Sequence, residues 1–403
     1  MAWRAWWVVG LWACGEAEVR RDPPDAGRPG RPDGGPLDGG LDLDAEAGLD
    51  RGAGGADPDR GAGDGALRED ADGAGDAGGS GGAGGGPTLD AGRADRGAGG
   101  TQDADINADL GPGPAGPCAR YAAPRSLGAV GDAALTEASG LALGRRDGAV
   151  LWSHNDSGDS ARLFALSAAD GRALGRVRLV GHEAVDLEDL AAADCPGQPG
   201  TPCLWAADVG DNRAAREDAA VLVVVEPSAP GAGQTVDAPV RHRIGVRYPG
   251  GPVDVEALLV APAGDRLWLL EKGGDAEATR IFAVDGPFDG PPPAEPRRAT
   301  VVGTFAAPGL PINLGRLVTG ADLSPAGDRV LVRVYTGTWE YRLGPGQGVA
   351  DLGAVVPELA ALGPLSEPQG EAVGYAAGGR GFYTVSELSG GDPPVPLHFY
   401  DCR

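Results

Sequence analysis

Five acidic residues recur at the start of similar apolar segments, and their side chains are the groups in this chain best suited to bind a cation. They are Glu137, Glu188, Glu256, Asp322 and Glu371. Carboxylates brought close together repel one another, so such a group either gains protons through raised pKa values or holds a cation. Oxygen ligands from Asp, Glu and Asn suit Ca²⁺, which is therefore the cofactor that the pattern predicts.

Each acid is followed by an apolar segment, a Gly/Asp turn and a second apolar segment that ends in polar residues. Antiparallel hairpin partners place the start of one strand beside the end of the next, so we expect both sets of polar residues on one face. The expected metal ligands are Glu137, Asn155, Asp208 and Asp322, with His154 as general base if the site is catalytic. The residues expected to contact a ligand are Glu188, Glu256, Glu371, Lys272, Arg333, Tyr335, Asp211, Asn212 and Glu387.

Two other interpretations of these residues stay open at this level. Lys272, the only lysine of the chain, and Arg333 could neutralise part of the acidic set. Each acid could instead cap backbone N–H groups of the neighbouring repeat. His154 could equally be a turn residue that is hydrogen-bonded within its own loop.

The repeats that carry these residues predict a β-propeller, an all-β fold. The five acids are 51, 68, 66 and 49 residues apart, and each interval has room for four short strands. Four-stranded repeats of this length are typical of propeller blades arranged around a channel. We count five blades, and a sixth could lie within 301–317.

Ring closure can be predicted from the two ends of the repeat region. The last repeat stops at its third strand, and 119–130 could supply the missing outer strand. Cysteine positions agree with this arrangement, because Cys118 and Cys402 lie at the two ends and would join them in a disulfide. Cys195 and Cys203 would form a second, local disulfide.

The N-terminal part predicts an exported protein. Residues 1–13 combine one arginine with a short apolar run and fit a signal peptide, and Leu11–Cys14 resembles a lipobox with Cys14 as the acylated residue. Residues 14–117 consist mainly of Gly, Ala, Asp, Pro and Arg and cannot form a core, so we expect a disordered tether. Residues 118–403 are the expected propeller domain. We expect the chain to be anchored in the cell envelope, with the outer membrane favoured.

The charge and the motifs exclude several function classes. A net charge of −24 argues against nucleic acid as a partner. Neither HExxH nor GxSxG occurs within 118–403, which argues against a zincin and a serine hydrolase. Two hypotheses remain. The first is a monomeric binding module for a small molecule, an envelope protein or a polysaccharide, which contacts the membrane only through its lipid anchor. The second is a Ca²⁺-dependent hydrolase of a phosphoester, ester or lactone.

Four segments of the chain also resemble motifs of a known group. They are His154–Asp159, Asp208–Arg213, Val318–Asp322 and Gln369–Ala372. They resemble motifs of uncharacterised secreted bacterial β-propeller proteins, which are distantly similar to TolB-like propellers and to the "esterase-like activity of phytase" group. The resemblance covers about 118–403 and implies the propeller fold, but it implies no particular substrate.

Overall fold

The structure is a computed structural model, and it describes residues 118–273, 278–312, 314–364, 367, 369–388 and 395–403. This part of the chain is almost entirely β-structure, with 22 strands and two short 3₁₀ turns at Val349–Ala354 and Ala377–Gly379. None of the helical segments in the described ranges has the length and hydropathy needed to cross a bilayer. The predicted signal peptide, Cys14 and the tether lie outside the described residues.

The first two blades each carry an additional strand on the outside. Blade one has the antiparallel order β2 (Ala138–Leu143), β3 (Val150–Asn155), β4 (Arg162–Ser167) and β5 (Ala173–Val180), with β9 (Thr235–Pro239) parallel to β5. Blade two has β6 (Leu187–Cys195), β7 (Gln198–Asp208), β8 (Ala220–Val225) and β10 (His242–Arg247), with β14 (Arg297–Arg298) parallel to β10. The connection between β8 and β10 thus supports the outside of blade one.

Blades three and four are plain four-stranded antiparallel sheets. Blade three is β11 (Val255–Val260), β12 (Arg266–Glu271), β13 (Thr279–Asp285) and β15 (Thr300–Phe305). Blade four is β16 (Val318–Leu323), β17 (Arg329–Val334), β18 (Gly337–Arg342) and β19 (Glu358–Leu362). Residues 301–317, where a sixth blade could have been placed, contain most of the outer strand of blade three and its connection to blade four.

Blade five closes the ring with a strand from the other end of the domain. It consists of β20 (Gln369–Tyr375), β21 (Gly381–Glu387), β22 (Pro396–Asp401) and β1 (Arg125–Ala129). The antiparallel pairing of β1 with β22 confirms the predicted origin of the missing outer strand. Both predicted disulfides are also present. Cys118–Cys402 joins residues 284 positions apart at this closure, and Cys195–Cys203 links the β6–β7 hairpin.

The innermost strands of the five sheets form the central ring. Each inner strand contacts the inner strands of both neighbouring blades, in the order β2, β6, β11, β16, β20 and back to β2. Apolar side chains fill the spaces between blades, and Trp152 and Trp205 are completely buried there. Burial of apolar area at about 25 cal/mol per Å² makes these interfaces the main source of stability. The fold is therefore a five-bladed β-propeller, as predicted.

Candidate functional site

All five inner strands have an irregularity near their first residue, and it determines where the acidic side chains lie. Near this first residue the pairing register with the second strand slips in every blade, over one residue in four blades and over two in blade one; blade two has a second slip at Asp194/Cys195. A bulge of this kind re-aims the side chain of the extra residue. The residues at this bulge position are Ser139, Glu188, Glu256, Thr319 and Glu371.

Only three of the five acids that the sequence aligned share this position. Glu137 lies two residues before the bulge position of blade one, and Asp322 lies three residues after that of blade four. Blade four offers Thr319 instead, whose hydroxyl donates to the carbonyl of Gly370 in blade five at 2.9 Å. The expected ring of five equivalent carboxylates is therefore replaced by three carboxylates and two hydroxyls.

A second acidic position lies two residues before the bulge. It holds Glu137, Asp186 and Asp254 in blades one to three and Gln369 in blade five. The main chain at this position is capped by the end of the second strand: the N–H of Glu137 donates to Asn155 Oδ1 at 3.1 Å, and the N–H of Asp186 donates to Asp208 Oδ1 at 2.9 Å. Asn155 and Asp208, expected as metal ligands, thus hold the start of the inner strands.

A third position directly follows the second strand and lies beside the second acidic position. The N–H of Asp156 donates to Glu137 O at 2.9 Å, and the N–H of Lys272 donates to Asp254 O at 3.1 Å. Gly210 takes the corresponding place in blade two. A Cβ atom on Gly210 would lie 1.9 Å from Glu188 Oε1, so only glycine leaves room for that carboxylate.

These positions together form one carboxylate-rich opening of the channel, at the end where the inner strands begin. We call it the acidic mouth. It contains eight carboxyl groups, one ammonium group and one phenol, from Glu137, Asp156, Asp186, Glu188, Asp254, Glu256, Glu371, Glu387, Lys272 and Tyr335.

Glu188 lies at the centre of two overlapping carboxylate groups within the acidic mouth. One oxygen from each of Asp156, Asp186 and Glu188 lies within 4.8 Å of the others, and the same holds for Glu188, Asp254 and Glu256. These residues belong to blades one, two and three. Neither group contains Glu137, Asp208 or Asp322, so the structure does not bring the expected metal ligands together.

Lys272 is the ammonium group of the acidic mouth, and its single positive charge compensates only part of the negative charge of the carboxylates. Its Nζ lies 2.6 Å from Glu256 Oε1 and 3.8 Å from Asp254 Oδ2, and it donates to Asn212 Oδ1 at 3.5 Å. Asp211 lies beside this pair, because its N–H donates to Asp254 Oδ1 at 3.0 Å. Lys272, Glu256, Asp211 and Asn212, four of the residues expected to contact a ligand, therefore lie together.

Five carboxyl groups of the acidic mouth have pKa values raised by their surroundings. Burial, reinforced by neighbouring carboxylates, raises the pKa of Asp186 to about 7 and that of Glu387 to about 8. Burial also raises the pKa of Glu256 to about 7, although Lys272 opposes the shift. The same causes raise the pKa values of Glu188 and Glu371 well above their ordinary range. A bound cation would stabilise the ionised forms of all five.

Two buried oxygen atoms of the acidic mouth lack a hydrogen-bond partner within the described part of the chain. They are Asp186 Oδ1 and Glu371 Oε2. Gln369 Nε2 donates to Glu371 Oε1 at 2.9 Å and to Glu387, which leaves the second oxygen of Glu371 free. Tyr335 lies close enough that the Glu371 carboxylate contributes, after burial, to a raised phenol pKa. Buried polar atoms normally have partners, so these oxygens are available to a ligand.

Arg333 pairs with Glu367, a carboxylate outside the set that defines the acidic mouth. Its guanidinium is completely buried and forms an ion pair with Glu367 at 2.5 Å. Burial acts to raise the pKa of Glu367, but Arg333 and hydrogen bonds from His398 and Thr384 outweigh it and lower the pKa to about 2. Arg333 therefore joins blade four to the segment before β20 rather than neutralising the acidic mouth.

His154, the expected general base, is also enclosed. Its side chain is completely buried, its Nδ1 lies 2.9 Å from Asn155 O, and burial lowers the pKa of the imidazole. His182, which the sequence gave no reason to select, lies closer to the surface, and its Nε2 lies 2.7 Å from Asp208 Oδ2. Arg216 pairs with the other oxygen of Asp208 at 2.9 Å.

Sequence reasoning missed Asp186 and Asp254 as site residues. The signal is an Asp-x-Glu spacing, present as Asp186-Leu187-Glu188 and Asp254-Val255-Glu256. An extended strand would place residues two apart on one face. In blades two and three the bulge residue is the Glu of this pair, and the carboxylates of Asp and Glu lie together at the channel end where the strand begins.

Asp189 is hydrogen-bonded to three inner strands at a level further along the channel than the acidic mouth. Its carboxylate is completely buried and accepts N–H bonds from Leu190 at 2.8 Å, from Leu258 at 2.8 Å and from Ala321 at 3.3 Å. These amides belong to blades two, three and four. Asp189 therefore links three inner strands at a level between their two ends.

The opposite end of the channel opens into a cavity of about 340 Å³, which we call the distal cavity. The final residues of four inner strands and the turns that follow them line it, together with Ala192 of β6. Asp322 belongs to this wall, and its Oδ2 accepts the N–H of Tyr375 at 2.7 Å. Asp322 is therefore at the other end of the channel from the remaining predicted ligands.

No protein-family model matches the chain, and no curated protein matches it at a significant level.

Proposed function

We propose that this chain is an extracytoplasmic binding module whose acidic mouth holds a divalent cation, with Ca²⁺ favoured, and binds an oxygen-bearing ligand through it. The observation that carries the proposal is the pair of carboxylate groups that share Glu188, each with its oxygens within 4.8 Å. Ca²⁺ accepts six to eight oxygen ligands in flexible geometry, and these two groups offer five carboxylates from three blades.

The charge balance of the acidic mouth supports a cation rather than a purely structural role. A structural acid has its oxygens satisfied, as Asp189 does with three backbone amides. Asp186 and Glu371 each keep a buried oxygen without a partner in the described structure. Burial of ionised groups without compensation is costly, and a bound dication would supply the compensation.

The proposed location outside the cytoplasm draws on the cysteines and on the N-terminal sequence. Two disulfides occur in the described residues, and disulfides persist mainly in oxidising compartments. A lipid on Cys14 and a tether over 14–117 would keep the propeller near the outer membrane. The resemblance to motifs of secreted bacterial β-propeller proteins agrees with this location.

A Ca²⁺-dependent hydrolase is the second candidate, and one contact favours it. The His182–Asp208 pair lies beside Asp186, because the N–H of Asp186 donates to the same carboxylate. An imidazole oriented by a carboxylate next to a metal site could activate water. His182 replaces His154 in this hypothesis. A His182→Ala variant that keeps Ca²⁺ binding but loses activity on ester or phosphoester substrates would favour the hydrolase.

The direct test of the cation proposal is thermal unfolding of the full chain with EDTA and then with excess CaCl₂. We expect Ca²⁺ to raise the melting temperature, because a ligand of the native state stabilises it by mass action. Glu188→Gln should lose most of this shift. Asp237→Asn is the matched control, since it removes one carboxylate from an exposed pair with Arg178 on blade one. Equal shifts in all three proteins, or none, would contradict the proposal.

A further inference from the structure

The distal cavity lies at the opposite end of the channel and has the size of a small-molecule site. Its volume of about 340 Å³ falls within the range of roughly 300–1,000 Å³ typical of ligand pockets. Most of the side chains that line it are apolar, and every blade contributes at least one residue. The wall includes Leu143, Ala192, Val260, Pro262, Leu323 and Tyr375.

Asp322 brings a negative charge into this apolar wall. Its carboxylate is held in place by the N–H groups of Tyr375 and Leu323. Within the described residues no cationic side chain lies within ion-pair distance of it. Burial accordingly raises the pKa of Asp322 to about 7. The carboxylate is therefore fixed in position but uncompensated in charge.

Arg145 is the cationic residue of the same wall, and its guanidinium is engaged elsewhere. It pairs with Asp194 Oδ1 at 2.9 Å and donates to the carbonyl of Pro262 at 3.2 Å. The backbone N–H of Arg145 is held by Glu226 at 2.9 Å. These contacts fix the turn after β2 at the rim of the cavity. Because they engage the Arg145 guanidinium, the Asp322 carboxylate is available to a cationic ligand.

We propose that the distal cavity binds a small organic amine, with its ammonium group on Asp322 and its apolar body against Leu143, Val260 and Tyr375. A carboxylate ligand would be repelled, and a neutral apolar ligand would leave the Asp322 carboxylate buried without a cationic partner. A metal ion fits poorly, because one carboxylate supplies too few of the six to eight oxygens that Ca²⁺ takes. An ammonium ion needs only this one charged partner.

The proposal is independent of the cation at the acidic mouth. Asp189 links the inner strands between the two ends, and Asp322 belongs to neither carboxylate group around Glu188. Failure of Ca²⁺ binding would therefore leave the amine site unaffected. Failure of amine binding would likewise leave the proposed function standing.

The test is ligand-observed NMR titration of the full chain with benzylamine, benzyl alcohol and benzoate, three probes that share one apolar ring. Benzylamine should bind at least about tenfold more tightly than benzyl alcohol, because hydrogen bonds to charged groups contribute about 1.5–3 kcal/mol. Benzoate should not bind. In Asp322→Asn, whose amide oxygen can still accept the N–H of Tyr375, benzylamine and benzyl alcohol should bind equally.

Two further variants keep the outcome clear. Ala377→Trp places a bulky ring at an exposed position of the cavity wall and should block all three probes without disturbing the core. Glu188→Gln, at the acidic mouth, should leave benzylamine binding unchanged. Equal binding of the three probes to the native chain would overturn the proposal, and so would undiminished benzylamine binding by Asp322→Asn.

Discussion

The two ends of the propeller channel are built from the same five strands and yet differ in chemistry. Where the strands begin, eight carboxyl groups surround a single ammonium group. Where they end, one carboxylate lies in a wall of apolar side chains. A register slip recurs at the first end of all five inner strands, so that end gains a re-aimed side chain from every blade. Local backbone irregularity, repeated five times, thus concentrates charge at one end.

The largest expected effect comes from a change that should damage both ends equally. Cys118→Ser combined with Cys402→Ser opens a loop of 284 residues at blade five. Chain-entropy arguments assign a disulfide of this span about 4 kcal/mol or more. We expect a corresponding loss in the free energy of unfolding, measured by urea denaturation. Cys195→Ser with Cys203→Ser, which opens only eight residues, is the control and should cost less. A smaller loss for the long loop would contradict this account of closure.

Asp189→Ala should have the next largest effect, because Asp189 lies between the two ends. The change leaves the buried amides of Leu190, Leu258 and Ala321 without an acceptor. Unsatisfied buried donors cost about 1–3 kcal/mol each, so we expect a loss of about 3 kcal/mol in urea denaturation. Asp189→Asn keeps an acceptor oxygen and should cost clearly less. Equal losses in the free energy of unfolding of the two variants would show that these hydrogen bonds do not cause the destabilisation.

The pH dependence of stability should separate the two ends. Carboxyl groups with raised native pKa values bind more protons in the native than in the unfolded chain, so stability in EDTA should fall as pH rises from about 5 to 8. Asp186 and Glu256, with pKa values of about 7, and Glu387, with about 8, make the acidic mouth the main contributor.

The variants Glu256→Gln and Asp322→Asn divide this pH dependence between the ends. Each should flatten the slope, since the pKa of Asp322 is also raised to about 7. Excess Ca²⁺ should oppose the fall for the native chain and for Asp322→Asn, but not for Glu256→Gln. Stability that rises between pH 5 and 8 in EDTA would contradict the raised pKa values.

The smallest expected effect is a gain in stability. Glu371→Gln removes a buried carboxyl group whose Oε2 lacks a partner and which faces Glu387. In EDTA we expect stabilisation of about 1 kcal/mol, because burial and the neighbouring Glu387 carboxylate make an ionised Glu371 unfavourable in the native chain. Asp237→Asn, the exposed control, should change stability little. A destabilised Glu371→Gln variant would indicate a hydrogen-bonding role for this carboxylate.

The fold could be predicted largely from the sequence. Alternating apolar strands and regular turns specify each blade, and the two terminal cysteines indicate how the ring closes. Blade number was ambiguous only at 301–317, because the long connection before β16 resembles additional strand material. Strand pairing is a local consequence of hydrophobic pattern, which the sequence displays directly.

The candidate site was only partly predictable. Glu188, Glu256, Glu371, Glu387 and Lys272 meet as expected, since they recur at fixed places in the repeat. Asp322 was misaligned because a shared acidic residue type does not reveal hydrogen-bond register. Asp186 and Asp254 were missed because bulges, which turn an Asp-x-Glu pair toward the channel, leave no clear mark in the sequence.

The central claim is that the acidic mouth holds a divalent cation at Glu188, and anomalous diffraction from a crystal soaked in CaCl₂ would test it most directly. We predict an anomalous peak between the two carboxylate groups, at the Ca–O distance of about 2.3–2.6 Å from Glu188 and from oxygens of its neighbours. An acidic mouth without anomalous density at saturating CaCl₂, above pH 8 where Asp186 and Glu256 are ionised, would contradict the claim.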